Sequence, residues 1–350
     1  MTEHLEDADG SARTSRRRLL KAAALAPVLA GLGAMGPAAH AISALPAAEG
    51  PPGPDGRLPA GGRLAATPVP STEADWKPVT DALGRRGRLS KGSVYQMGFP
   101  RTDLRVVSHG ITVSPGLALG SHAAFVRYDD GCTMMMGDIC VVETELQQVI
   151  DTLQAHGIEQ TALHKHLLRQ TPEVWWTHVH GVSRDPGKLA TGLREAIART
   201  GTPAGIKPEP TEPGDMDIAA MEAALGAKAV SEGGITKWIF SRRETVIDHG
   251  RVLPKGMGAT SAFIFQALGG GRAAVNGDFA MVAGEVQKVF QALRRGGIEI
   301  VELHNHGLFD EPRLFFIHFW AVGDAVQIAK ALRAGVDMTN IEPTQRGGSG

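Results

Sequence analysis

The sequence predicts an α+β fold made of two tandem homologous repeats, and three observations carry that expectation. Residues 137–178 recur 140 positions later as residues 277–318, with 16 of the 42 aligned positions identical and no gap. Within each copy, stretches of period-two alternation lead into one stretch of period 3.6 and then into two more alternating stretches. This is a β-α-β-β-α segment within a larger, mainly antiparallel sheet. The composition of the 350 residues, 43% hydrophobic and 21% charged, is that of a globular chain able to bury two cores. Duplication suggests that the halves pack about a pseudo-twofold axis, the alternative being a linear pair of beads.

Taken in order, the chain opens with Ser15-Arg16-Arg17-Arg18-Leu19-Leu20-Lys21, a twin-arginine export pattern. An Ala/Leu-rich stretch and the small-x-small site Ala39-His40-Ala41 follow. Residues 1–41 are therefore expected to be a signal peptide, and the protein periplasmic or extracellular. The apolar run is short and broken by Gly and Pro, so no stable membrane span is expected in the mature chain. Residues 42–75 hold seven prolines and five glycines and read as a disordered linker. Repeat 1 is expected over 76–200, a Pro-rich joint over 201–214, repeat 2 over 215–338 and a flexible tail over 339–350. The formal net charge of −1 gives no basis for nucleic-acid binding by charge alone.

Strands are expected over 93–99, 104–113, 122–128 and 132–142 in the first copy, and over 235–240, 244–253, 261–267 and 273–282 in the second. A helix follows in each. Leu146, Val149, Ile150 and Leu153 make one apolar stripe, and Val286, Val289, Phe290 and Leu293 repeat it. Thr144 with Gln147, matched by Gly284 with Gln287, reads as its capped start, and Gly157 and Gly297 as its stop. A hairpin is expected next, 161–168 with 174–180 about Pro172, and 301–308 with 314–320 about Pro312. A last helix carries Leu189, Ala190, Leu193 and Ile197, or Ile328, Ala329 and Leu332. Cys132 and Cys140 either pair across a short hairpin or sit reduced in the core, and the second is the expectation.

Both hairpins keep one H-x-H-x11-H spacing: His164, His166 and His178, then His304, His306 and His318. Residues two apart on a strand share a face. With the turn centred on Pro172, His178 is expected opposite His166 and His180 opposite His164; about Pro312, His318 is expected opposite His306 and Trp320 opposite His304. Each hairpin would then offer a site of its own, and spacing leaves open whether the two triplets meet across the pseudo-twofold axis or lie apart. Converging imidazoles hold Zn²⁺ or another divalent metal and leave a position for water or substrate. The competing reading is a polar or aromatic packing layer between the halves. Asp138 and Asp278, each after a Gly that suggests a bulge, and Glu145 and Glu285 are the candidate acid/base groups, while fixing local backbone is the default role of the aspartates and stabilising the helix start that of the glutamates. His109 and His249 precede glycines and read as turn residues. No nucleophile motif, phosphate-binding loop or dinucleotide fingerprint is present, so no nucleotide cofactor is expected.

With the repeat, the export pattern and the pair Leu163-His164-Lys165-His166 and Leu303-His304-Asn305-His306, the chain resembles the LppY/LpqO family of exported bacterial proteins, whose tandem domain has no assigned function. Gly137-Asp138, Gly277-Asp278 and the segments from Pro172 to His178 and from Pro312 to Trp320 belong to that resemblance. Several members look like lipoproteins, whereas no Cys stands near the expected cleavage site here. The expectation is an exported metal-binding protein and, if an enzyme, a metal-assisted hydrolase. The alternative is a non-catalytic envelope protein that binds a small molecule or a cell-envelope component and whose histidines are structural.

Overall fold

Each repeat starts with a short helix that the alternation pattern did not predict. In repeat 1, α1 (Lys77–Leu83) is followed by β1 (Arg88–Ser90), β2 (Val94–Pro100), β3 (Val107–Ser108), β4 (Ile111–Thr112), β5 (Gly120–Arg127), β6 (Thr133–Val142), α2 (Glu143–Ala155), β7 (Glu159–His164), β8 (Gln170–Thr171), β9 (Val174–Ser183) and α3 (Pro186–Ile197). Repeat 2 contains α4 (Ile218–Leu225), β10 (Val230–Glu232), β11 (Ile235–Arg242), β12 (Ile247–Asp248), β13 (Arg251–Val252), β14 (Thr260–Gly269), β15 (Arg272–Val282), α5 (Ala283–Arg295), β16 (Glu299–His304), β17 (Leu314–Asp324), α6 (Ala325–Val336) and β18 (Ile341–Pro343). The structure, a computed structural model, describes residues 65–204, 214–232 and 234–345, all within one unit, Gly56–Gly350. The expected signal peptide, most of the 42–75 linker, the middle of the 201–214 joint and the last residues of the tail lie outside the described residues.

The two main sheets run β1-β2-β5-β6-β9-β7 and β10-β11-β14-β15-β17-β16, with every pairing antiparallel. Alternation along the strands decides the layers. On β6, Met135, Ile139 and Val141 pack with α1, α2 and α3, while Met134, Met136 and Cys140 point away from them. The faces turned from the helices meet each other. Met134, Met136 and Val126 of repeat 1 share one cluster with Val246, Ala280, Leu314 and Phe316 of repeat 2. Cys140, Val174 and Trp176 share another with Ile235, Ala274 and Trp320. The result is helices, sheet, sheet, helices. Both cysteines are free, Cys140 buried.

Helix ends follow local chemistry. Asp185 and Asp324 cap α3 and α6 by accepting from the backbone N–H groups of Gly187 and Gln327 at 2.9 and 2.8 Å. The starts of α2 and α5 differ from the expected Thr144/Gln147 box. Glu145 and Glu285 reach back to the N–H groups of Val142 and Val282 at 2.9 and 3.0 Å, which leaves Thr144 inside the helix. Gly157 and Gly297, at φ of 67° and 75°, follow the last turns as expected.

Three expectations are corrected by the backbone. The strands expected over 104–113 and 244–253 are two-residue pairs, because His109-Gly110 and His249-Gly250 all take positive φ and turn the chain back at once. Residues 65–75 are not tether. Ala66 accepts from Val252 N–H while Val69 donates to Arg127, so this strap finds backbone partners on both repeats. The tail likewise contributes β18, which pairs with β11 and buries Ile341.

Candidate functional site

The histidine-bearing strands lie at the centre of the inter-sheet face, between the two mixed apolar clusters. The register differs from the expected one. His164 pairs with Trp176, Ala162 with His178 and Glu159 with His180; His304 pairs with Phe316, Glu302 with His318 and Glu299 with Trp320. The connection is no tight hairpin: β7 ends at His164, β8 leaves to pair with β3, and a register shift falls between Gln160 and Ala162. His166 and His306 therefore lie on the loops beyond the strand ends. Cross-repeat bonds hold those loops: Asn276 donates to the His166 carbonyl at 2.5 Å, and Thr161 to the His306 carbonyl at 2.6 Å.

The six histidines form one cluster shared by both repeats, not one site on each hairpin. The His164 and His304 rings stack at 4.1 Å. His166 lies 3.9 Å from His318, and its counterpart His306 lies 4.0 Å from His178. The His164–His178 and His304–His318 separations, 4.5 and 4.8 Å, match in the same way. Such reciprocity is what a twofold relation requires. Two groups could hold a metal here, His164 with His166 and His318, and His164 with His178 and His304; in each, the donor atoms lie within 4.8 Å of one another. Both contain His164 and both draw on the two repeats.

Orientation favours lone pairs facing inward. His178 and His318 place Nδ1 3.2 Å from the carbonyls of Gly137 and Gly277, which fixes that nitrogen as the N–H donor. Their Nε2 atoms are then acceptors; these, together with Nδ1 of His164 and both nitrogens of His304, are buried without a hydrogen-bond partner. His166 and His306 lean on Trp176 and Phe316. Gly137 and Gly277 allow this geometry by close approach, not by the bulge expected, for the ladder is regular there. A Cβ would stand 2.3 Å from the His122 carbonyl oxygen or 2.1 Å from that of Ala262.

Asp138 is buried beside the cluster, 3.1 Å from His166 Nε2, 3.7 Å from His164 and 3.8 Å from His178. Burial pushes its carboxyl up, but His178 and His166 overcome this and hold it well below the usual range. Asp278 differs. Its Oδ1 accepts from Ala262 N–H at 3.0 Å and its Oδ2 is 3.8 Å from His306. Burial pushes this carboxyl up to about 7. The two carboxyls also differ in their neighbours: His122 pairs with Asp138 where Ala262 pairs with Asp278, and the charge of Asp138 pushes Asp278 further up. His122, exposed at the rim of the row, escaped the sequence reading because the second copy does not keep it.

The family described as Domain of Unknown Function (DUF1259) matches residues 77–199 and 219–338. The chain belongs to the DUF1259 family. Each DUF1259 match runs from the first helix of a repeat to its last, so the histidine cluster is made jointly by two copies of the domain. No curated protein matches the chain. Among solved structures, it is similar to the trimeric bacterial microcompartment shell protein PduB (13% identity, 75% of this chain and 98% of the other, TM-score 0.20). It is also similar to the double-ringed trimeric shell protein MSM0271 of the RMM microcompartment (15%, 59% and 82%, 0.17) and to EtuB from Clostridium kluyveri (10%, 74% and 94%, 0.18).

Three expected site residues lie elsewhere. His180 leaves the cluster because the register carries it past the end of the row, to 3.0 Å from Asp248. Glu145 and Glu285 serve the scaffold of the DUF1259 repeats. Glu145 binds the buried Arg101 at 2.8 and 3.0 Å, and Glu285 binds Arg242 in the same way, so their oxygens are engaged in capping and ion pairing. Arg101 is 1% exposed. Arg101→Ala would strand Glu145 and Asp103 and should cost about 3–5 kcal/mol, measured by urea unfolding; a loss below about 1 kcal/mol would contradict it.

Burial and mutual repulsion hold His164, His178, His304, His306 and His318 below the usual histidine value. An unfolded chain protonates these side chains from about pH 6.5 downward, whereas the folded one resists. Their contribution is therefore complete above that pH and is lost as pH falls through it. Asp278 acts oppositely between about pH 4 and 7, but it is one group against five. Metal-stripped protein should melt lower at pH 5.5 than at pH 7.5; an equal or higher melting temperature at pH 5.5 would count against the reading.

Proposed function

We propose that this protein binds a divalent metal in a single centre built from His164, His166, His178, His304, His306 and His318. One observation carries the reading: imidazoles from both repeats converge with Nε2 of His178 and His318 unpartnered, while their Nδ1 atoms are tied to backbone carbonyls. That is how proteins orient histidine ligands. An all-imidazole donor set suits Zn²⁺ or a similar borderline ion. Metal-assisted hydrolysis is the reaction class needing the fewest further groups, with Asp138 and Asp278 as the carboxylates at hand. The twin-arginine pattern and the resemblance to the LppY/LpqO proteins support export to the periplasm or beyond, where a small molecule or envelope component would be the partner. Among the described residues no helix is long and apolar enough to cross a membrane.

A second reading has its own support. The His164 ring lies within 15° of parallel with His178, His304 and His318, an arrangement that would also suit an aromatic packing layer in a non-catalytic binding protein. Metal analysis of tag-free protein after dialysis against Zn²⁺ separates the two. Stoichiometric Zn²⁺, diminished by His318→Ala in a folded variant, supports the centre. Metal-free protein that only melts earlier after the substitution overturns it.

A further inference from the structure

We propose a second, open metal site formed by Glu159, His180 and His249, with Asp248 behind the two imidazoles, which binds one divalent cation independently of the central cluster. The donors come from the start of β7, the middle of β9 and the turn after β12, so this site too joins the repeats. His180 and His249 stack at 4.3 Å. Asp248, wholly buried, spans both rings: Oδ1 is 3.1 Å from His249 Nδ1 and Oδ2 is 3.0 Å from His180 Nε2. The carboxylate thus hydrogen-bonds His249 Nδ1 and lies against His180 Nε2, which leaves His180 Nδ1 and His249 Nε2 on the side of Glu159. Both lie near Glu159 Oε2, at 3.9 and 3.7 Å. The donor atoms of the three residues fall within 4.8 Å of one another.

A carboxylate behind the histidines orients metal ligands and raises their basicity. The contact between His180 and Asp248 is close without hydrogen-bond alignment, and His180 Nε2 and Asp248 Oδ2 have no other partner; both side chains are at least 99% buried. A cation on Nδ1 would fix the ring and supply the missing constraint. Two imidazoles and one carboxylate are a three-ligand set that leaves a fourth position open. This site reaches solvent, since Glu159 is half exposed. Glu159 also borders a surface depression of about 420 Å³ to which Leu308 of repeat 2 contributes, and Phe309 meets the His249 ring edge-on.

The duplicated position is an internal control. There, His109 faces Glu299 at 3.4 Å, but Trp320 stands where repeat 1 has His180, and Ser108 where repeat 2 has Asp248. One nitrogen donor and the orienting carboxylate are both missing. The half-site keeps its His-Glu contact and cannot close around an ion, so one such site per chain is expected.

Co²⁺ is the probe, titrated into the tag-free full chain and followed by visible absorption and equilibrium dialysis. The background carries His164→Ala and His318→Ala, which removes a ligand from each of the two central donor groups. One equivalent should bind and be lost in Glu159→Gln and in His249→Asn. Asparagine tolerates the positive φ at that turn, and both residues lie near the surface, so folding is expected to survive, as judged by circular dichroism. Undiminished Co²⁺ binding in both folded variants, or no binding in the background chain, overturns the proposal. Loss of metal on His318→Ala in the otherwise intact chain belongs to the central cluster alone, so the two readings fail separately.

Discussion

Gly277→Ala is expected to lower stability by about 3 kcal/mol or more, at the upper end of overpacking effects. The added Cβ would meet the Ala262 carbonyl oxygen at 2.1 Å and the Phe319 ring at 2.8 Å, and neither a strand backbone nor a buried ring gives way cheaply. The same glycine carbonyl holds His318 Nδ1, so the strand shift that relieves the clash should also disorder the imidazole. Gly284→Ala provides the contrast. It lies in the first turn of α5 with nothing within 4 Å of its Cβ, and the substitution should raise stability by about 0.5–1 kcal/mol. Urea midpoints compare the two; a wild-type midpoint for Gly277→Ala would contradict the packing account.

His166→Ala and His318→Ala should each weaken metal binding by more than about 100-fold, beyond what loss of a second-shell partner causes. The two residues are 152 positions apart in sequence and in different repeats, yet their rings lie 3.9 Å apart. If they hold one ion, both single variants weaken the same equivalent and the double variant departs from the sum of the two. In the Glu159→Gln background, a full-affinity equivalent that survives in either single variant would mean that they serve separate ions. Zn²⁺ competition titrations give the three affinities.

Much of the architecture was legible because duplication doubled every local signal. Period-two and period-3.6 patterns each appeared twice at one offset, which located β6, α2 and α3 and their counterparts. Helices α1 and α4 escaped because two turns carry too few apolar positions to show a period. The site was half legible. The repeated triplets identified the six imidazoles, but their grouping rests on a register that a shift at Gln160/Ala162 changes, and a sequence does not display a bulge in β7. Assigning each triplet to its own repeat was the natural inference from spacing; the actual contacts run between repeats because the sheets meet on their helix-free faces. Glu145 and Glu285 fill the helix-stabilising role that is their default, and only their ion pairs escaped the sequence. Their acidity at a helix start was readable, whereas the buried Arg101 and Arg242 they satisfy stand more than 40 residues earlier.

Whether six histidines from two repeats hold metal in one centre is decided by counting bound Zn²⁺ in a chain with His164, His166 and His178 replaced by alanine, in the Glu159→Gln background, with circular dichroism reporting the fold. The structure predicts complete loss from that centre, because each group of donors draws on both repeats. A folded variant that keeps half of the ions on His304, His306 and His318 would contradict it.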